Sequence, residues 1–421
     1  MRLAQLARLK GFEKLTDIDN ALSTFFKRLE LERTEPVQIP VKKSLGRVTA
    51  GDVIAAHDLP QFNRSAMDGY AVKARDTFEA TQFNPKALRL TENKKIQKNE
   101  ARRIWTGNPL PSGAHAVVML EHTKEIQDGI EVRTAVTPGE NVSKKGEDVR
   151  KGEIAIRDGT QLGPHHIALL AALGLVQISV REKPKVAVLS TGNELIDVGC
   201  KPKSGQVLDV NRLLLSCMCA ELGAETVDLG IATDDADAIN IKILEALKKA
   251  HIIITTGGTS VGKADLVPGV VNSIGKPGVL VHGIAMRPGM PTGLAMLHRK
   301  PIIMLSGNPV AAMIGFEIFG RPLLTKLLGL EDEQRPMVKA KLTNRVASAL
   351  GRRVFLRVHV VEKDNELFAE PVRTKGSGIL STLTKANGYV AIPEDREGLE
   401  KGESITVHLF DKIGAAQCSE N

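Results

Sequence analysis

Aromatic side chains are scarce in this 421-residue chain: one tryptophan, two tyrosines and eleven phenylalanines make up 3% of it. With so few rings to stack on unpaired bases, and with lysine and arginine dispersed along the chain, nucleic acid is not expected as a partner. Cysteine is equally sparse. Cys200, Cys217, Cys219 and Cys418 form no CxxC pair and stand at no zinc-ligand spacing from a histidine, so free thiols in a reducing cytoplasm are expected. Long apolar runs are missing too. The most apolar window, residues 167–176, contains Gly174 and falls far short of the ~20 residues a spanning helix needs. The opening MRLAQLARLKGFEKL lacks the apolar core of a secretory signal, so a cytoplasmic protein without a membrane segment is expected.

What is present is an ordinary globular mixture, 42% hydrophobic and 25% charged, on a chain long enough for several domains. The 57 basic residues against 49 acidic ones leave a net charge of +8, which favours anionic ligands without naming one. From Val37 to about Gly139, short β-like runs alternate with turn signals, and the glycine-punctuated segment NVSKKGEDVRKGE follows as a connection. A helix over HHIALLAALG should end at Gly174 with a left-handed cap, ahead of the strand VQISV. After Lys183 and Pro184 the pattern changes: KVAVLS, NRLLLSCMCAELG, ETVDLGIA, DADAINIKILEALKKA and HIIITT alternate strand and helix, and PIIMLSGNP leads into a long helix from Val310 to Leu328. This alternation predicts a doubly wound, mainly parallel α/β domain over 183–330, with its ligand site at the carboxyl ends of the strands. Short strands return from Pro336, implying a small all-β domain to about residue 413, before a frayed tail.

The loops after the strands carry the candidate chemistry. In GGTSVGKAD, Gly257, Gly258 and Gly262 let backbone approach a ligand while Thr259 and Ser260 offer hydroxyls, which suits a phosphate; a plain tight turn is the alternative. Asp265 in the same loop either holds a metal or positions a reacting group, or caps the next helix. SGNP places Ser306, Gly307 and Asn308 ahead of Pro309, a helix start at which an anion could sit. STGNEL presents Thr191 and Glu194, and LDVN presents Asp209 and Asn211. Asp234 and Asp235 lie at a further strand end, where magnesium bridging phosphates would need one or two carboxylates and where capping is the competing explanation. Outside this domain, Asp68 in SAMDGYAV is a costly carboxylate unless it serves a purpose or caps a turn. Thr106 and Gly107 open a proline-rich loop, and Asp148 stands on the charged connection, as site residue or as solvated face. His165 and His166 have no metal-ligand partner spacing and are taken as surface or capping residues.

Together, LPQFNRSAMDGYAV, TGNPLPSGAHAVV, GEDVRKGE, VAVLSTGNEL, TTGGTSVGKAD, MRPGMP, SGNPVAA and GSGILSTLTKANGYVAIPE resemble the molybdopterin molybdenumtransferases of the MoeA type, a form shared by the terminal domain of gephyrin. The likeness spans about residues 16–413. It implies a homodimer of elongated four-domain subunits: 16–57 with 143–182 as a discontinuous dimerisation domain, 58–142 as an inserted β-rich domain, 183–330 as the molybdopterin-binding α/β domain, and 335–413 as a β-barrel-like domain. It implies insertion of molybdate into adenylylated molybdopterin with magnesium-dependent loss of AMP, at a cleft to which two chains contribute. Carried over by position, Asp68, Thr106, Asp148, Glu194, Asp235 and Asp265 match residues important for activity, and Asp234, Asp235 and Asp265 are the candidate metal ligands. The glycines of TTGGTSVG, with Ser306, Gly307 and Asn308, match the pterin-phosphate loops. Arg287, Ser377 and Arg357 would bind the molybdate oxyanion. Met290 and Ala311 replace a lysine and a serine usual in the family, Arg287 a lysine, Asn63 an aspartate and His115 an acidic residue.

Two other readings share some of these motifs. An enzyme that adenylylates molybdopterin would use the same α/β fold, and such an enzyme is also a candidate docking partner for this chain. A dimeric scaffold would use no chemistry at all, and the acidic loops argue against it.

Overall fold

A computed structural model describes residues 12, 14–259, 266–330, 335–372 and 378–415. The chain packs as two units, residues 37–180 on one side and residues up to 36 with those from 181 onward on the other. First in sequence among the described residues is helix α1 (Ile18–Arg28), which belongs to the larger unit; Asp17 caps it by accepting from Asn20 N at 2.8 Å, and Lys27 and Arg28 oppose the dipole at its end.

The smaller unit is built on a six-stranded sheet of β1 (Gly69–Val72), β2 (Lys86–Leu90), β3 (Glu100–Ile104), β4 (Ala116–Met119), β5 (Thr123–Ile126) and β6 (Gly129–Val132), in the order β4-β1-β3-β2-β6-β5. All four residues of β1 are buried, because alternate side chains enter different cores: Tyr70 and Val72 one, Ala71 the other. Helix α2 (Pro164–Ala172) starts with proline in its first turn, and His166 Nδ1 accepts from Gly163 N at 2.9 Å, the capping role expected for a histidine here. Gly174 ends it at φ 72°, where a Cβ would be disfavoured.

The larger unit contains the alternating region. Strands β7 (Lys185–Thr191), β8 (Glu225–Ala232), β9 (Ile252–Thr256), β10 (Pro277–His282), β11 (Gly293–Leu297) and β12 (Lys300–Leu305) form one sheet in the order β8-β7-β9-β12-β11-β10. The contacts β8–β7, β7–β9 and β9–β12 are parallel, and β12–β11 and β11–β10 antiparallel. Helices α3 (Asn211–Glu221), α6 (Pro309–Gly315), α7 (Arg321–Leu328) and α1 cover one face, and α4 (Ala236–Lys249) and α5 (Leu266–Ile274) the other. Covered on both faces, β9 is buried along its whole length, which is why its sequence, three isoleucines followed by two threonines, shows no apolar–polar alternation.

The long helix expected over 310–328 begins at Pro309 and is interrupted. Residues Phe316–Gly320 form a π-helical turn between α6 and α7, with Arg321 N bonded to Phe316 O. Pro322 has no N–H to continue the regular ladder, and a side chain at Gly320 would come within 2.6 Å of the Phe316 ring.

Beyond residue 335, β13 (Met337–Leu342), β14 (Arg353–Lys363), β15 (Glu366–Pro371), β16 (Gly388–Ile392) and β17 (Ser404–Leu409) close into a small barrel, β14-β15-β13-β17-β16 and back to β14. Met286 and Arg287 pair in parallel with Arg353 and Val354, joining the barrel to the α/β sheet within the same unit.

Candidate active site

The carboxyl ends of β7, β9 and β12 open into a cavity of about 830 Å³. Its floor is Thr191, Gly192 and Glu194, Gly257 to Thr259 and Ser306 to Asn308, and Ser348, Arg352 and Arg357 of the barrel, with Met286 to Pro291, complete the lining. This is the crevice that an open parallel sheet creates where its strand order reverses, here between β7 and β9.

Two glycines make the floor possible. Gly257 has φ +85° and a Cβ on it would lie 2.3 Å from Thr191 O; Gly258 has φ +59° and its Cβ would lie 2.8 Å from Thr191 Oγ1. Neither position admits a side chain, so a ligand above this loop meets backbone. Gly257 N still donates to Leu305 O at 3.1 Å, which ties the loop to the end of β12.

Acidic groups also line the cavity. Glu194 and Asp234 are exposed and line the cavity. Their loops are clasped: Asn193 N donates to Asp234 Oδ2 at 3.2 Å and Asp234 N to Asn193 Oδ1 at 3.1 Å. Asp235 does not line the cavity and instead caps α4, accepting from Ala238 N at 2.9 Å. Asp209 lines it but is buried against Arg212, whose Nε donates to Asp209 Oδ2 at 2.6 Å. Burial opposes the Arg212 charge, yet the bonds to Asp209 and Asp228 outweigh it and hold the guanidinium above its ordinary value. Among the described residues no group of three or more His, Cys, Asp or Glu side chains could hold a metal. Glu194 and Asp234 are the two carboxylates of the lining that are exposed, and magnesium usually takes one or two carboxylates together with substrate phosphates.

Basic groups belong to the same lining. Arg287 is exposed at the cavity, while Arg357 is buried, its Nε donating to Thr382 Oγ1 at 3.1 Å, and burial pulls its guanidinium below the usual value. Met290 and Ala311, where the resemblance leads one to expect a lysine and a serine, are buried apolar residues of the same lining.

In the smaller unit, Asp68 and Thr106 meet. Asp68 Oδ1 accepts from both Thr106 N and Thr106 Oγ1 at 2.8 Å, and these two bonds hold the carboxyl below the usual carboxylate range. Asp148 is exposed on another loop, its backbone N–H donating to Leu59 O at 3.1 Å. Ser260, Gly262, Asp265 and Ser377 lie outside the described residues, as does Cys418. Cys200 and Cys217 are exposed free thiols, and burial pushes the Cys219 thiol up to about 12.

Phe12, Ser348 and Arg352 are among the lining residues that the sequence motifs do not mark. Phe12 meets His282 edge-on at 5.0 Å, a contact across 270 positions that no local pattern encodes. Arg352 stands in the run GRRVFLRV, where three arginines within six positions were the available signal.

Three family models match the chain: the MoeA N-terminal region (domain I and II) over residues 16–174, a probable molybdopterin binding domain over 187–326, and the MoeA C-terminal region (domain IV) over 339–410. A putative molybdopterin biosynthesis protein of Methanocaldococcus jannaschii is 37% identical, over 96% of this chain and all of that protein. Molybdopterin molybdenumtransferase 2 of Mycobacterium tuberculosis is 36% identical, over 88% of this chain and 94% of the relative. A crystal structure of the molybdopterin biosynthesis MoeA protein of Pyrococcus horikoshii superposes with a TM-score of 0.81 at 32% identity, covering 94% of this chain and 100% of that one. No helix among the described residues is long and apolar enough to cross a membrane.

Proposed function

The chain belongs to the molybdopterin molybdenumtransferase family, a transferase of molybdenum cofactor biosynthesis, and on that premise we propose that it inserts molybdate into adenylylated molybdopterin with magnesium-dependent release of AMP. The observation that carries this reading is one cavity whose lining combines glycine backbone, carboxylates and guanidinium groups. A substrate with a phosphate chain needs the first two, and an incoming oxyanion needs the third.

Glu194 and Asp234 would hold the magnesium ion, which supplies neutralisation of charge between the phosphates. Gly257, Gly258 and Thr259, with Ser306, Gly307 and Asn308, seat the phosphate end of the pterin. Arg287 and Arg357 orient molybdate by charge-assisted hydrogen bonds, and the neighbouring Met290 and Ala311 keep water away from that wall. Asp68, kept ionised by Thr106, together with Asp148, Asp235 and Asp265, completes the proposed set of acidic residues, and Ser377 the set of oxyanion donors. The four-part division 16–57 with 143–182, 58–142, 183–330 and 335–413 is part of the same reading, supported by separate hydrophobic cores in the six-stranded sheet, the α/β sheet and the barrel. So are a homodimeric state and docking of the adenylylating enzyme.

The test is to supply purified protein with adenylylated molybdopterin, magnesium and either molybdate or tungstate, without ATP, and to follow AMP. Release dependent on the oxyanion supports the reading. No release with either anion removes it, and a requirement for ATP would favour the adenylyltransferase alternative.

A further inference from the structure

We infer that Asn211 is a positioning residue for this reaction: it fixes the Gly307–Asn308 peptide so that its N–H side is presented to the cavity where the phosphate group of the substrate sits. The inference rests on the function proposed above and says how one of its loops is held in place.

Asn211 is the first residue of α3 and is buried, yet its side chain does not cap its own helix. That task falls to Asp209, whose Oδ1 accepts from Asn211 N at 3.2 Å and Arg212 N at 3.4 Å. The Asn211 amide reaches across the cavity floor instead, and Nδ2 donates to Gly307 O at 2.8 Å. A trans peptide is planar, with its C=O and N–H pointing in opposite directions. Tying Gly307 O to α3 therefore turns the Asn308 N–H to the other side, towards Ser306. There it makes only a long bond of 3.4 Å to Ser306 Oγ, and Ser306, Gly307 and Asn308 all line the cavity. An N–H held this way can turn to a stronger, charged acceptor at little cost.

The strut is itself anchored. Arg212 Nε holds Asp209 Oδ2 at 2.6 Å, Nη1 holds Asp228 at 2.6 Å and Nη2 pairs with Asp197. One guanidinium thus joins the start of α3, strand β8 and the segment that follows Glu194. Asn211 Oδ1 is buried and has no hydrogen-bond partner among the described residues, so the bond to Gly307 is the tie this amide makes there. The loop it holds runs beside the glycine loop: a Cβ on Gly307 would lie 3.6 Å from Gly257 Cα. A shift of one loop is therefore felt by the other.

Steady-state AMP release by the wild type, Asn211→Ala and Asn211→Asp, each with a measured Tm, tests the inference. Loss of one well-made hydrogen bond predicts a KM for adenylylated molybdopterin raised about three- to tenfold in Asn211→Ala. The kcat at saturating substrate should stay within about twofold, because orientation is recovered once the site is full. Asn211→Asp, of the same shape but without the donor, should raise KM at least as far. Unchanged KM in both variants, a fall confined to kcat, or failure of both to fold would overturn the inference, the last by making Asn211 purely structural. A wild type that releases no AMP would instead overturn the proposed function.

Discussion

At Asp68 one backbone N–H and one hydroxyl of Thr106 set the state of a carboxylate. The sign follows directly: both bonds favour the ionised form, so Asp68 stays charged to lower pH than a free aspartate, and removing them raises its pKa. Thr106→Val should therefore move the acid limb of the AMP-release profile to higher pH; a pH–rate series on the two proteins checks this. Both residues are conspicuous as motifs, but their contact is not legible from them. It arises from the antiparallel register that pairs Gly69 with Ile104 and so brings the residues flanking β1 and β3 together. The glycine loop was more readable, since only glycine tolerates φ +85° so close to Thr191 O. Gly257→Ala, forced to shift backbone, should weaken binding of the pterin substrate at least tenfold with a smaller effect on Tm, measured by titration and thermal melting.

Among the elements, the strands and helices from Lys185 to Leu305 follow the alternation of the sequence closely, because the strands buried on both faces, such as β7 and β9, are mainly apolar and show no period of two. The helix from Pro309 to Leu328 departs from it, and the departure has a chemical centre. Glu317, on the π turn, accepts from Arg321 Nε at 3.0 Å and from Arg335 Nε at 3.1 Å and Nη2 at 2.7 Å, with Glu221 also bonded to both arginines. Arg335 belongs to the segment entering the barrel, so this buried network ties α/β sheet and barrel together within the unit. Apolar periodicity carries no trace of it, since the partners lie on three separate stretches of chain. Burial raises the Glu317 pKa, but the two arginines outweigh that and leave it below the ordinary value. A depressed folded pKa contributes stability above the unfolded value, and that stability is lost as pH falls through the folded one. Tm should thus fall more steeply below about pH 4 in the wild type than in Glu317→Gln. Glu317→Ala, which strands buried guanidinium groups, should cost about 3–5 kcal/mol in denaturant unfolding.

On the scale of the whole molecule, the class of fold was legible because periodicity changes at Pro184 and again near Pro336, from β-rich to alternating and back. The cavity wall was less so. Arg352 and Ser348 reach the strand-end loops only because Met286 and Arg287 pair with β14, a tertiary contact between short segments. Family resemblance supplies the further proposal that two chains complete each site. Mixing inactive Asp68→Ala with inactive Glu194→Ala should then restore about a quarter of wild-type AMP release per chain if subunits exchange at random, whereas no recovery after verified exchange would oppose a shared site.

In the proposed reaction the loops at the strand ends hold the pterin substrate while the remaining acidic groups act on it. Equilibrium binding of adenylylated molybdopterin to the wild type, Gly257→Ala and Asp68→Ala, with AMP release followed in parallel, tests it most directly. Binding is expected for the wild type and Asp68→Ala, weak binding for Gly257→Ala, and full AMP release for the wild type alone; undiminished binding by Gly257→Ala would overturn the role of the glycine loop.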